Sequence, residues 1–262
     1  MKRLSRFVPV FALLALAAGQ ASAQAPAGAP ASDPKAVAVA DKVMQALGGS
    51  DAWNKTRYLR FDFAVDKDGK TLVRRAHTWD KWTGRYRLEG KTRDGDPYVV
   101  LINVNTREGS AYLKGNKLSG EEEKKQLENG YATWVNDTYW LLMPYKMRDP
   151  GVILALDGEE KKGEEAWDKV RLTFDNVGLT PKDKYWAYVN RKTGLVDRWD
   201  FVLKGEAKPP TPFEWKNWKK MGAIMLADDR VSPKDGTRIY FPVLSLPEAV
   251  PDIAFSSPQP AP

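Results

Sequence analysis

Residues 57–118 consist of short strand-like runs separated by turn residues, and this pattern restricts the fold more than any other feature. The clearest run places apolar residues on one face: Leu59, Phe61, Phe63 and Val65. Successive side chains of a strand point to opposite faces, so the run indicates a half-buried strand. Turn residues such as Asp68 and Gly69 separate the runs. The pattern returns after Pro150, although the segment 213–225 fits neither the strand nor the helix period. We expect a mainly β fold with inserted helices.

A helix is predicted ahead of the first strand. Asp33 is a favourable N-cap residue, and Pro34 stands at the first helical position, where its missing N–H costs nothing. Apolar residues then recur at helical spacing as far as Leu47. Gly48 and Gly49 follow and predict the end of this helix.

The strand pattern is interrupted at residue 119 by two predicted helices. Ser119 and Glu122 match a capping box, which predicts that the first of them runs through Glu128. Asn129 and Gly130 come next and predict a break before the second helix.

The second inserted helix is predicted from Tyr131 to Met143, and Pro144 ends it. Its apolar face is formed by residues at helical spacing: Tyr131, Trp134, Val135, Thr138 and Leu142. Taken alone, such a face indicates a core helix packed under a sheet. If the sheet is curved, the same face closes a cavity whose soft, aromatic lining suits an apolar ligand.

Residues 1–23 have the three parts of a secretory signal peptide. Lys2, Arg3 and Arg6 form a positive segment, an apolar run follows, and residues 21–23 supply the small side chains of a cleavage site. The apolar run is shorter than the roughly 20 residues that a membrane span requires, which favours a cleaved peptide over an anchor. The remaining chain is predicted to contain three segments: a disordered Ala/Pro-rich leader at 24–32, a single domain at 33–255 and a disordered tail at 256–262.

Composition limits the possible partners. The sequence has no cysteine, so disulfides and a lipid-modified cysteine behind the signal peptide are excluded. Three of the 41 basic residues and none of the 34 acidic residues lie in residues 1–23, so the net charge falls from +7 to +4 in the mature chain. Basic and acidic residues alternate, without the basic stripe of a nucleic-acid-binding protein. We expect a soluble exported protein with no nucleic acid partner and no stable membrane insertion.

The sequence offers little for catalysis. His77 is the single histidine and lies in a predicted strand, where a structural role is favoured over general-base catalysis. There is no nucleophile elbow, no phosphate-binding glycine-rich loop and no cysteine–histidine metal spacing. The prediction is a protein without enzyme activity, catalytic residues, metal or cofactor.

The order of the predicted elements, from the signal peptide through helix, strands and inserted helices to further strands, resembles the LolA-like superfamily of periplasmic lipoprotein carriers and lipid-binding proteins. The segments 138–146 and 149–151 resemble a branch of exported bacterial proteins related to that superfamily, and residues 50–53 after the two glycines support the same placement. The chain departs from the lipoprotein carrier itself by its greater length and its lack of cysteines.

The resemblance implies a half-open, strongly curved antiparallel β-barrel with helices covering the concave face as a movable lid. It also implies a periplasmic carrier or binding protein for an apolar, lipid-like ligand or for lipoprotein acyl chains, with a transient envelope protein partner. The predicted ligand-binding residues are Phe61, Phe63, Tyr86, Tyr131, Trp134, Val135, Thr138, Leu142 and Met143. The alternative is a non-catalytic envelope interaction or sensing module whose exposed aromatic residues bind a protein or a glycan.

Cleavage after Ala23 leads to a first prediction. We expect the mature protein to begin at Gln24 and to appear in the periplasmic fraction, because residues 21–23 are the small residues that signal peptidase recognises. N-terminal sequencing of the protein from its native host checks this. A chain that still begins with Met1, or that stays in the membrane fraction after a salt wash, would contradict it.

Overall fold

Most of the chain forms one antiparallel sheet. The structure, a computed structural model, describes residues 31–175 and 177–259, so the predicted signal peptide and most of the leader lie outside the described residues. The strands are Tyr58–Lys67 (β1), Lys70–Asp80 (β2), Arg85–Lys91 (β3), Pro97–Asn103 (β4), Gly109–Leu113 (β5), Asn116–Lys117 (β6), Val152–Lys162 (β7), Glu165–Phe174 (β8), Lys184–Asn190 (β9), Val196–Val202 (β10), Thr211–Met221 (β11), Ile224–Val231 (β12), Arg238–Tyr240 (β13) and Leu244–Ser245 (β14).

The sheet is a meander that doubles back on its first strand. Thirteen of its fourteen strands follow the order β6-β5-β4-β3-β2-β1-β13-β12-β11-β10-β9-β8-β7, and the remaining strand, β14, pairs with β1. The strands β6 and β7 end this order without pairing with each other, so the sheet is open in the described part of the chain. The mainly β fold with a curved, open antiparallel sheet is therefore confirmed.

The helices are few and short, with one exception. They are Pro34–Ala46 (α1), Ser50–Lys55 (α2), Gly120–Leu142 (α3) and Ile253–Ser256 (α4), with a 3₁₀ helix at Met143–Lys146. The first begins as predicted, because the Asp33 side chain accepts a hydrogen bond of 2.8 Å from the backbone N–H of Lys35.

The two inserted helices are in fact a single helix, so the predicted break at Asn129 and Gly130 is wrong. The helix α3 continues for 23 residues through this point, and the Ser119 side chain does not cap it. Gly130 is buried, and a Cβ atom there would lie 2.8 Å from Cγ1 of Val100 on β4. The glycine therefore permits close packing of α3 on the sheet, which explains why it does not end the helix.

One large core joins the helices to both halves of the sheet. Buried residues of α1, α3, the 3₁₀ helix and strands from β1 to β13 form one continuous cluster. A smaller cluster lies under the N-terminal half of α3, with Tyr86, Leu88 and Val100 at its centre. Because the large cluster contains residues from β1 and from β8, which are far apart in the strand order, the sheet must curve around the helices.

The edge strand β7 is protected in two ways. Over its first half, the backbone N–H of Asp33 donates to the carbonyl of Leu154, and the N–H of Leu154 donates to Oγ of Ser32. Its second half carries exposed charged residues such as Glu159 and Lys161. Ser32, the last residue of the predicted leader, is thus held against the sheet.

A buried arginine holds the C-terminal segment. Arg87 on β3 is 1% exposed, and its guanidinium donates to the carbonyls of Ala254, Ser257 and Gln259 at 3.2, 2.6 and 2.8 Å. The composition of residues 256–262 predicts a disordered tail, but residues 256–259 are bound to the sheet by these contacts. Residues 260–262 lie outside the described residues.

The turn after α1 provides a second prediction. Gly48 and Gly49 both have positive φ angles, +111° and +88°, but a Cβ atom on Gly48 would lie 2.3 Å from the carbonyl oxygen of Ala223. The nearest atom to a Cβ on Gly49 is the Gln45 side-chain oxygen, at 3.8 Å. We expect Gly48→Ala to lower the free energy of unfolding by about 1–3 kcal/mol more than Gly49→Ala, because only Gly48→Ala forces backbones apart. Urea unfolding of both variants measures this, and equal losses would contradict it.

Candidate functional site

The C-terminal half of α3 forms one wall of two adjoining cavities. The larger has a volume of about 280 Å³ and is bounded by α3, β8, β9 and β10. The smaller has a volume of about 260 Å³ and lies toward α2, β2 and the 3₁₀ helix. Five residues border both cavities: Val135, Tyr139, Phe174, Val177 and Gly178. We call the two cavities together the α3 cleft.

Aromatic rings form most of the wall of the larger cavity. Trp140 on α3 meets the edge of Trp199 with a distance of 4.6 Å between ring centroids, and Tyr139 lies 5.3 Å from Tyr185. Tyr185 is in turn 5.1 Å from Trp199. The strands β9 and β10 present Tyr185, Trp199 and Phe201 toward α3 because alternate residues of a strand share a face.

The smaller cavity is also lined by paired aromatic rings. Trp134 of α3 packs edge-on against Trp79 of β2, with ring centroids 5.4 Å apart. Trp53 of α2 stacks on Tyr145 of the 3₁₀ helix at 4.5 Å. The two sides of the α3 cleft therefore share a rigid, apolar character.

The rims of the two cavities differ. Leu179 and Leu203 stand at the rim of the larger cavity and are 50% and 44% exposed. The rim of the smaller cavity carries an ion pair between Lys146 and Asp149. The apolar lining thus reaches solvent at the rim of the larger cavity.

A buried cluster of charged side chains fixes α3 to the sheet. Asp137 of α3 is completely buried and accepts two hydrogen bonds from the Arg75 guanidinium, at 2.7 and 2.8 Å. Nε2 of His77 lies 3.2 Å from the same carboxylate, in a contact that is not aligned as a hydrogen bond. Nδ1 of His77 is 2.5 Å from the Tyr86 hydroxyl. We call these four residues the Asp137 cluster.

The Asp137 cluster contains one negative and one positive charge. Burial by itself would raise the pKa of Asp137, but the contacts with His77 and Arg75 outweigh it and keep this pKa below its usual range. Burial lowers the pKa of His77 despite the opposing effect of Asp137. At neutral pH the histidine is therefore uncharged, and the buried carboxylate is balanced by Arg75.

A second arginine ties the end of α3 to the sheet. Arg230 on β12 is fully buried and donates to the carbonyls of Ala227, at 2.7 Å, and of Leu141, at 3.4 Å. Its guanidinium also lies 3.9 Å from the centre of the Trp215 ring. Burial lowers the pKa of Arg230 to about 9, so it remains charged at neutral pH.

The structure separates the predicted ligand-binding residues into two groups. The residues that line the α3 cleft are Trp134, Val135, Thr138 and Leu142. Those that line neither cavity are Phe61, Phe63, Tyr86, Tyr131 and Met143. In this second group all except Tyr131 are at most 2% exposed. They belong to the closed core between the sheet and the helices.

The sequence interpretation missed the sheet side of the α3 cleft. Its wall is formed by residues that were not predicted to contact a ligand: Phe174, Tyr185, Trp199 and Phe201. The available signal was the alternation of Trp199 and Phe201 in one predicted strand, with Tyr185 in the strand before it. That signal also fits an ordinary core, and only the position of α3 distinguishes the two.

Residues 31–175 and 177–259 were compared with the requirements of a metal site and of a membrane-spanning helix. No group of three or more histidine, aspartate or glutamate side chains is placed to hold a metal ion. None of the helices there has both the length and the apolar character that a membrane crossing requires.

Comparison with known proteins supports the fold. No family model matches the sequence, and no curated protein matches it. Among solved structures, a DUF1329 family protein from Desulfovibrio piger has a TM-score of 0.50 at 15% identity, over 84% of this chain and 96% of that one. At these values the likeness is one of fold alone.

Two further structures have a TM-score of 0.47 and cover the same shares of both chains. They are a LolA superfamily protein from Nitrosomonas europaea, at 11% identity, and a putative outer membrane lipoprotein-sorting protein domain from Vibrio parahaemolyticus, at 10% identity.

The Asp137 cluster gives a prediction about pH. Because the pKa of His77 is lower in the folded protein than the value of about 6.5 in an unfolded chain, the unfolded state binds more protons on acidification. The stabilisation by neutral His77 is present above pH 6.5 and is lost as the pH falls toward its folded pKa. We expect the free energy of unfolding to fall by about 1 kcal/mol from pH 7.5 to 5.5.

The variant His77→Gln provides the control for this pH dependence. It removes the single histidine of the sequence and keeps polar atoms near Asp137 and Tyr86. We expect the loss of stability between pH 7.5 and 5.5 to be nearly absent in urea unfolding of this variant. An equally steep loss in the variant and the wild type would show that His77 is not responsible.

Proposed function

We propose that this protein is an exported, periplasmic binding or carrier protein for an apolar, lipid-like ligand, and that it does not catalyse a reaction. The α3 cleft is the observation that supports the proposal. Protein interiors are close-packed and contain few voids larger than a water molecule. The two cavities, of about 280 and 260 Å³, are much larger than such voids and approach the size of small-molecule sites.

The chemistry of the lining supports an apolar ligand. Most of the side chains around the larger cavity are aromatic or aliphatic, and its polar lining residues are Asn136 on α3 and Thr180 and Asp183 between β8 and β9. Transfer of apolar surface from water into such a site contributes about 25 cal/mol per Å². Long acyl chains, free or attached to a lipoprotein, are one class of ligand that would be stabilised by this burial of apolar surface. Such binding requires no cofactor.

The route into the cleft follows from how α3 is held. The resemblance to lipoprotein carriers implies a movable helical lid, but Asp137 and the carbonyl of Leu141 bind α3 to the sheet. We infer that α3 is a fixed wall. The ligand then enters at the rim of the larger cavity, between the segment 177–180 and Leu203.

The alternative function, an interaction module with exposed aromatic residues, has less support. Trp82 is the one strongly exposed aromatic residue among the exposed large apolar side chains of the described chain, at 58%. Its indole N–H donates to the carbonyl of Asn54. On the outer face of the sheet, the indoles of Trp167 and Trp186 donate to aspartate carboxylates. These rings are held by the protein itself, which favours the carrier.

A substitution that fills the cleft tests the proposal. Val135 borders both cavities and is only half-buried, so Val135→Trp occupies the space without removing core packing. We expect wild type to bind the uncharged probe N-phenyl-1-naphthylamine with a blue shift and enhanced emission. We expect Val135→Trp to weaken binding by at least tenfold, equivalent to about 1.4 kcal/mol.

The matched control is Glu128→Trp, an exposed position on the same helix that lines neither cavity. This variant should bind the probe as the wild type does. Native mass spectrometry of protein from its native host, followed by lipid extraction, would then identify the ligand. If wild type binds no probe and carries no lipid, the carrier proposal is wrong.

A further inference from the structure

Asp183 is the one charged side chain that lines the larger cavity, whose other polar lining residues are Asn136 and Thr180. Asp183 precedes β9 and lines the cavity, although it is only 3% exposed. One carboxylate oxygen accepts a hydrogen bond of 2.6 Å from the backbone N–H of Lys204, and the other accepts one of 3.1 Å from the Tyr185 hydroxyl. Lys204 follows β10 and Asp183 follows the segment 177–180, so the carboxylate joins the two loops that form the rim.

The acceptor capacity of Asp183 is only partly used. An ionised carboxylate can accept about four hydrogen bonds, and the two donors from Lys204 and Tyr185 fill two of these positions. Burial, and then the nearby Asp183, raise the pKa of Tyr185, so this hydroxyl keeps its proton and acts as the donor. In the described part of the chain no ion pair engages Asp183. A ligand that reaches it therefore meets an acceptor with a negative charge.

This arrangement discriminates between lipid head groups. A hydroxyl group can donate a short, charge-assisted hydrogen bond to the free lone pairs of Asp183. A carboxylate head group placed there would face a like charge in a low-dielectric site, which is strongly unfavourable. An ammonium group would have to lose its water to form a buried ion pair, and that desolvation offsets most of the attraction.

We propose that Asp183 selects an uncharged amphiphile with a hydroxyl head group, whose apolar tail extends toward Trp140 and Trp199, and disfavours free fatty acids. The proposal rests on the function proposed for the α3 cleft and adds the class of ligand. The head group then lies at the rim, beside the two loops, and the tail lies against the aromatic wall.

The experiment compares two ligands that differ only in the head group. Wild-type protein is loaded with N-phenyl-1-naphthylamine at pH 7.5 and titrated below micellar concentrations with 1-dodecanol or with dodecanoate. We expect dodecanol to displace the probe at a concentration at least ten times lower than dodecanoate. Equal displacement by the two ligands would overturn the selectivity while leaving the apolar site intact. Failure of the probe to bind at all would overturn the proposed function as well.

Two variants separate selection from a structural role of Asp183 in holding the loops. In Asp183→Asn the charge is removed and an N–H donor is added. We therefore expect dodecanoate to bind more tightly, and the tenfold ratio between the displacing concentrations of the two ligands to approach one. Asp200→Asn is the matched control, because Asp200 accepts a 2.9 Å hydrogen bond from the Tyr188 hydroxyl but lines neither cavity. It should keep the wild-type ratio.

A purely structural role predicts a different result. If Asp183 only holds the loops together, Asp183→Asn would weaken the binding of both ligands equally and leave the ratio of their displacing concentrations unchanged. That result would overturn the proposal. If Asp183→Asn does not fold, the ratio measured on the wild type still decides the question.

Discussion

The position of α3 depends on how a single buried charge is neutralised. Asp137 lies in the C-terminal part of the helix with no access to water, and only the Arg75 guanidinium supplies a full opposite charge. Removing one member of such a buried pair typically destabilises a protein by about 3–5 kcal/mol, because the other charge is left without a partner. The pair is directional as well as strong, since the planar guanidinium meets both carboxylate oxygens. It therefore fixes both the rotation and the height of α3 above β2.

The helix α3 has two different attachments beside the α3 cleft. Asp137 faces the strands β2 and β3, while Tyr139 and Trp140, two and three positions further on, face β9 and β10. The first attachment is a buried ion pair, whose geometry allows one orientation of the helix. The second consists of aromatic packing, with Trp140 4.6 Å from Trp199 and Tyr139 5.3 Å from Tyr185. The orientation that the ion pair sets therefore decides which side chains of α3 meet the aromatic wall of the larger cavity.

Most of the sheet could be predicted from the sequence, but the α3 cleft could not. Alternation predicted β1 because Leu59, Phe61 and Phe63 on one face of that strand are buried. In β11 it failed, because Asn217 has a φ angle of +63° and interrupts the extended backbone between the paired residues Lys216 and Trp218. Trp215 and Trp218 stack on each other although they are three positions apart. The Asp137 cluster was not predictable either, since Arg75 is 62 residues away from Asp137 and nothing local connects them.

An open sheet has two free edges, and β7 shows how one of them is kept from joining another molecule. Its apolar first half has its hydrogen-bonding groups occupied by Ser32 and Asp33, and its second half is charged. Unpaired strand edges are templates for association between chains. The few residues that connect the leader to α1 therefore act as a guard against self-association. Proteolysis that removed them would expose the backbone N–H and C=O of Leu154, which Ser32 and Asp33 otherwise occupy, on an edge strand.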